Sequence, residues 1–230
     1  MPSGHNRQRT DPWSVREDAG IVKGSAVHGA GCVFTGRSHL QIMGAMDAQI
    51  EGLLHQLATA SQEVPGLTNT LTFEQFNWAP APGRWSIGQC IEHLNITSER
   101  YVPVLTKAIN DGRAAGRVSS APITLGFLER WFMQSLEPPP RMKTKTPASF
   151  VAGPQLQIDA TLARWASMQA ALADCMRLAE GVDFRRIKVR SQFGPMSFSL
   201  GGTFLILLAH ERRHLWQARQ VRTDRSFPAA

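Results

Sequence analysis

Gly202-Thr203-Phe204-Leu205-Ile206-Leu207-Leu208-Ala209-His210-Glu211-Arg212-Arg213-His214-Leu215-Trp216-Gln217 is the stretch on which the fold turns. Its apolar run is under half the roughly 18–20 residues needed to span a bilayer, so it reads as a helix segment buried in a soluble core. Behind the run, polar and charged residues return at helical spacing, and the pattern predicts a last helix from about Ser197 to Val221. Thr203, Ile206 or Leu207, His210, His214 and Gln217 fall in one row of that helix. Residues four apart stack on one face with Cβ atoms about 5–6 Å apart, so His210 and His214 can converge on one point.

Working outward, three more long helices are expected. Ile42, Met46, Ile50, Leu53, Leu54 and Leu57 recur at helical spacing and predict a helix from about Leu40 to Gln62, ended by Pro65 and Gly66. Ser86 and Gln89 form a capping box that satisfies two orphan backbone donors, and they start a second helix running towards Asn110. Trp85 precedes the cap, where a hydrophobic staple would fold it back onto Cys90. Pro103 lies inside this helix and is expected to kink it. The third long helix spans about Gln155 to Glu180. A short helix from Ile123 to Leu136 is accessory to these four. Pro138-Pro139-Pro140 stops it and opens a loop to Gly153 long enough to be a lid or a connector. Phe184 to Met196 reads as irregular, with short β-like stretches. Four long helices without a set of strands predict an all-α four-helix bundle.

Residues 1–38 are rich in Gly, Ser, Arg and His and show no sustained period. They are expected to form a disordered leader, since they bury too little apolar surface to offset their ordering entropy. Met43 or Met46 would serve as an alternative start that leaves this leader out. The expected division is therefore leader 1–38, bundle 39–222 and a flexible tail 223–230.

Composition narrows the function. Hydrophobic residues make up 43% of the 230, enough for a substantial core. The formal charge is +7, from 25 Lys and Arg against 18 Asp and Glu. The basic residues are scattered, and a basic balance without a basic face does not support nucleic-acid binding. Cys32, Cys90 and Cys175 form no C-x-x-C pair, which argues against a thiolate metal site or a disulfide framework. No secretory h-region follows the charged first residues. A cytoplasmic protein with a small-molecule substrate, without nucleic-acid or membrane partners, is the expectation.

A catalytic metal site commonly uses three protein ligands and leaves a position open. His210 and His214 supply two. His93, on the second helix beside its apolar stripe, is the first choice for the third, and His55 on the first helix is the fallback. Helical spacing by itself is shared with many histidine pairs that are ordinary core or surface groups. Gln217 lies three residues beyond His214 and Gln89 four before His93, so either can orient an imidazole. Arg213 can hold an anionic group or pair with Glu92. Glu92 and Glu211 adjoin the histidines but point about 100° around their helices, so each reads as a solvated or helix-pairing charge. Trp85 and Trp216 read as bundle packing.

Two blocks then carry a family resemblance. Gly83-Arg84-Trp85-Ser86-Ile87-Gly88-Gln89-Cys90-Ile91-Glu92-His93-Leu94 resembles the W-S-x-x-(Q/E)…H-L block of DinB-like proteins, and Ala209 to Gln217 resembles their H-x-x-R-H-x-x-Q block. The blocks stand in the family's order, and the resemblance covers about Met46 to Val221. It implies a four-helix bundle whose His93, His210 and His214 bind a divalent metal, zinc or nickel. Relatives with assigned functions include thiol-dependent S-transferases and isomerases that use bacillithiol or mycothiol, and proposed metal-dependent hydrolases. The expectation is a metal-dependent enzyme using a low-molecular-weight thiol. The alternatives are a hydrolase, or a non-catalytic metal- or partner-binding bundle that forms a homodimer through exposed apolar helix faces.

Overall fold

Helix boundaries in the computed structural model follow the capping chemistry closely. It describes the backbone of residues 37–140 and 145–229, with side chains from residue 48 onward. The expected leader lies outside the described residues, apart from Arg37 and Ser38, which open the first helix, α1 (Arg37–Thr68). The helix continues past Pro65, contrary to the expected stop. Pro costs a helix interior about 3 kcal/mol. Val64 and Leu67 extend the buried stripe of Ile50, Leu53, Leu57 and Ala60, and burying two such side chains returns about 1.5–3 kcal/mol each. The chain is helical again at once, since Asn69 N donates to Pro65 O at 2.9 Å.

A short helix, α2 (Phe73–Asn77), stands where the sequence reading leaves a connection. Thr72 Oγ1 accepts from Gln75 N, and Gln75 Oε1 accepts from Thr72 N, a second capping box. It seats Phe76 in the core so tightly that a Cβ on Gly88 would lie 2.6 Å from the ring. Helix α3 (Ile87–Ala114) begins at the Ser86–Gln89 box as expected and passes through Pro103. Helix α4 (Phe127–Leu136) starts later than Ile123. Its first turn is closed by Glu129 Oε2, which accepts from Gly126 N, while Ile123 N donates to Gln49 Oε1 on α1. A 3-10 turn (Ala148–Phe150) interrupts the following loop. Helix α5 (Ile158–Leu178) is shorter than expected at both ends. Strands β1 (Lys188–Arg190) and β2 (Ser197–Ser199) pair antiparallel with Val189 opposite Phe198. They lead into α6 (Leu200–Arg222), which is capped by Ser199 and starts three residues later than the expected Ser197.

The long helices form a ring: α3 packs on α5 and α6, and α1 packs on the same two. Helices α1 and α3 are thus diagonal to each other, as are α5 and α6. The fold is an all-α four-helix bundle with α4 as an accessory helix on α6, plus one short hairpin. Among the described residues no helix is long and apolar enough to cross a membrane. The end expected to be a flexible tail packs down. Phe227 meets Trp78 edge-on at 5.4 Å, and Pro228 O accepts from Gln75 Nε2.

The interior has two apolar clusters. One contains Leu53, Leu57, Leu105, Ile109, Leu172, Met176, Phe204 and Leu208. The other contains Val64, Phe76, Ile87, Ile91, Trp165, Leu215 and Val221. Along α3, α5 and α6, the residues between these clusters are polar: Asn95 and Thr97, Gln169, and His210, Glu211 and His214.

Candidate metal centre

His93, His210 and His214 meet in that polar layer, all three buried, with their ligand nitrogens within 4.8 Å of one another. His210 Nε2 lies 3.1 Å from His93 Nε2 and 3.1 Å from His214 Nε2. The first contact joins α3 to α6, and the second joins residues four apart on α6. His55, the fallback ligand, is exposed on α1 and takes no part.

The His93 tautomer is set by the loop after α4. Its Nδ1–H donates to Phe150 O at 2.8 Å, which leaves the Nε2 lone pair facing the other two rings. Burial lowers the pKa of His93, against which the Phe150 hydrogen bond pulls upward. Burial holds His210 and His214 well below the ordinary imidazole value, and the neighbouring histidines and Arg213 add to it. Three neutral imidazoles result, the protonation state in which imidazole binds metals.

These donors fit a divalent ion. Two nitrogens each about 2.0–2.1 Å from a tetrahedral ion stand roughly 3.3 Å apart, close to the 3.1 Å separations here. Protons alone satisfy the cluster poorly, because His93 Nε2 carries none and His210 Nε2 faces two neighbours. Trp85 lies against the outside, its ring stacked on His214 at 5.4 Å and tilted over His93 at 4.8 Å. It also packs on the apolar cluster that contains Cys90, so one ring borders both the core and the histidines. Phe193 closes another side, 5.5 Å from His210.

The supporting residues differ from the expected ones. Gln89 does not reach His93: its Oε1 serves the Ser86 cap and its Nε2 donates to Ala152 O at 3.4 Å. Arg100, two turns beyond His93, holds the loop instead. Its Nη2 donates to Ser149 O at 2.8 Å, and its guanidinium lies 4.6 Å over the Phe150 ring. Gln217 approaches His214 and offsets part of its lowered pKa, though no well-formed hydrogen bond reaches His214 Nδ1.

Glu92 pairs with Arg164 rather than Arg213, and also accepts from Asn95 Nδ2. Glu211 is not solvated. It is buried and accepts from Gln169 Nε2 at 2.8 Å, and burial pushes its carboxyl up to about 7, opposed by that hydrogen bond and by the charge of Arg212. Sequence reasoning missed Phe150, Arg100 and Gln169. Of these, Arg100 alone left a signal, its seven-residue spacing from His93.

A cavity of about 1040 Å³ opens on the cage, with His93, His210, His214 and Trp85 in its lining. Arg213, Gln217 and Trp216 line it too.

A family model described as the DinB superfamily matches residues 56–218. No curated protein matches the chain. Among solved structures the chain is similar to YfiT from Bacillus subtilis, described as a probable metal-dependent hydrolase with an unusual four-helix bundle topology. That likeness is at 12% identity and a TM-score of 0.49, over 84% of this chain and 91% of that one.

Proposed function

This chain belongs to the DinB superfamily, and from the convergence of three imidazoles in its core we propose that it is a metal-dependent enzyme. His93, His210 and His214 hold one divalent ion, zinc or nickel, and the reaction is transfer to or from the sulfur of a low-molecular-weight thiol. The observation that carries this reading is the pair of 3.1 Å contacts through His210 Nε2, with His93 locked by Phe150 O. A bound ion would supply Lewis acidity and hold a thiol as thiolate near neutral pH.

The chain's own residues prepare that chemistry. Phe150 O fixes which nitrogen His93 presents. Burial keeps the imidazoles free of protons, and the rings of Trp85 and Phe193 pack on the flanks of the cage. The open cavity favours an enzyme over a bundle that only stores metal. Thiol transfer is preferred to hydrolysis because no carboxylate among the described residues lines the cavity. Glu92 is engaged by Arg164 and Glu211 by Gln169, so neither is placed as a general base for water.

Elemental analysis of purified protein is expected to find about one metal per chain, with three protein ligands as in other catalytic sites. His93→Ala, His210→Ala and His214→Ala should each abolish it while circular dichroism shows the bundle intact. Full metal content in any two folded single variants rejects the site. Metal-loaded protein should also accelerate conjugation of a small electrophile to a thiol. Turnover of esters with no thiol-dependent rate would favour hydrolysis instead.

A further inference from the structure

The lining of the cavity is uneven in chemistry and one-sided in charge. One wall is apolar and built where α4, β2 and α6 meet: Phe132 stacks on Phe198 at 5.4 Å, and Leu136 and Ile206 pack in the same cluster. The charged side chains among the described lining residues are all cationic: Arg84, Lys145 and Arg213. Arg84 adjoins Trp85, which covers the cage, and Lys145 comes from the loop that supplies Phe150. Both are exposed, and neither has an ion-pair partner among the described residues. A cavity of this size accommodates a ligand of drug-like dimensions. Charges of one sign beside a low-dielectric wall concentrate ligands of the opposite sign.

We infer that this cavity takes an amphiphilic anion: an apolar body lies on the α4–α6 wall, and an anionic group is held by Arg84 and Lys145. The inference deepens the proposed function, because it takes the histidine cage to be the reacting end of the same cavity. Carboxylate, sulfonate and phosphate share the required chemistry. A free cation or a neutral amphiphile of equal length satisfies the wall but not the charge.

Binding to the full chain can be followed by tryptophan fluorescence, since Trp85 and Trp216 line the cavity. The probes are octanesulfonate, octanoate, octyl phosphate, 1-octanol and octyltrimethylammonium, tested on metal-loaded and on chelator-treated protein. The three anions should bind about tenfold tighter than octanol or the ammonium, the effect of two rim charges at low salt. Raising the salt should shrink that preference. The preference should persist after chelation, which separates the cationic lining from direct ligation of an ion. Arg84→Ala/Lys145→Ala should reduce it to about twofold or less while octanol affinity stays unchanged. Phe132→Ala should weaken every probe by a similar factor.

Equal affinity for octanol and octanesulfonate, or an anion preference that survives the double variant, overturns the inference. A preference seen for octanoate on metal-loaded protein alone overturns it as well. The relative affinities of octanoate and octyl phosphate report which anion is preferred. Metal content measured on the same samples keeps the two readings apart. Anion preference without metal binding sinks the proposed function alone, and metal binding without anion preference sinks this inference alone.

Discussion

Two regions of the bundle interior obey different rules. The cluster around Phe204, Leu208, Leu105 and Met176 is apolar apart from Tyr101 and Cys175, and its residues bring no buried polar side chain that lacks a partner. The layer beside it is polar on every long helix. Ser61 Oγ donates to Gln169 Oε1 and Gln169 Nε2 to Glu211 Oε1, a chain from α1 through α5 to α6. Asn95 Nδ2 joins Glu92 to Thr161 O. The layer nevertheless leaves Asn95 Oδ1, Glu211 Oε2 and His214 Nδ1 buried without a hydrogen bond. Each unmade bond of this kind costs about 1–3 kcal/mol. The difference teaches that stability comes from the apolar clusters, and that the polar layer is retained at their expense for the cage it holds.

That division can be broken at its stable side first. Phe204 is fully buried, so Phe204→Ala should destabilise the protein by about 3–5 kcal/mol, read from chemical denaturation. Metal content of the folded fraction should stay unchanged. A folded Phe204→Ala protein that has lost its metal would show that cluster and cage are one unit.

The polar side should respond in the opposite way. Arg100 is exposed and buries little, but it holds Ser149 O and Phe150, and Phe150 O orients His93. Arg100→Ala should weaken metal affinity by about 10–100-fold, the usual cost of losing the group that supports a ligand, in a chelator-competition titration. Its melting temperature should move little. Arg100→Lys should recover part of the affinity at most, since an ammonium lacks the planar fork that spans a carbonyl and a ring. An affinity indistinguishable from wild type would remove Arg100 from the site.

The same contrast explains what could be read from the chain. The bundle and the His210–His214 pair were legible because apolar periodicity, the Ser86–Gln89 box and the four-residue spacing are local signals, whereas His93 was singled out by the DinB-like blocks and not by spacing. The Thr72–Gln75 box has the same chemistry as that at Ser86, but it caps five residues, too few to show a period. Pro65 read as a stop because propensity is local, while the burial of Val64 and Leu67 that overrides it is not. Glu211 read as a solvated charge because glutamate is seldom buried without a partner, and its partner, Gln169, lies 42 residues away. Phe150 was illegible for a different reason. It acts through its carbonyl oxygen, which every residue has.

The smallest effect lies outside both regions, where α4 meets the start of α6 at Glu129. One carboxylate serves two helix starts: Oε1 accepts from Ser199 N at 2.6 Å, and Oε2 accepts from Gly126 N at 2.9 Å. The packing is so close that a Cβ on Gly202 would lie 2.8 Å from Glu129 Cδ. Burial by itself would raise the Glu129 pKa, but the hydrogen bonds from Ser199 and Gly126 and the charge of Lys188 outweigh it and leave it lowered. Glu129→Gln keeps one acceptor oxygen and replaces the other with a donor, so it should cost about 1 kcal/mol, comparable to losing a helix cap. A carboxylate with a lowered folded pKa contributes fully above its unfolded value, about 4.3, and loses that contribution as the pH falls through the folded value. The stability gap between wild type and Glu129→Gln should therefore be widest near neutrality and close under acid, with metal affinity at neutral pH unchanged. A gap that stays constant down to about pH 3 would mean that Glu129 contributes by packing and not by charge.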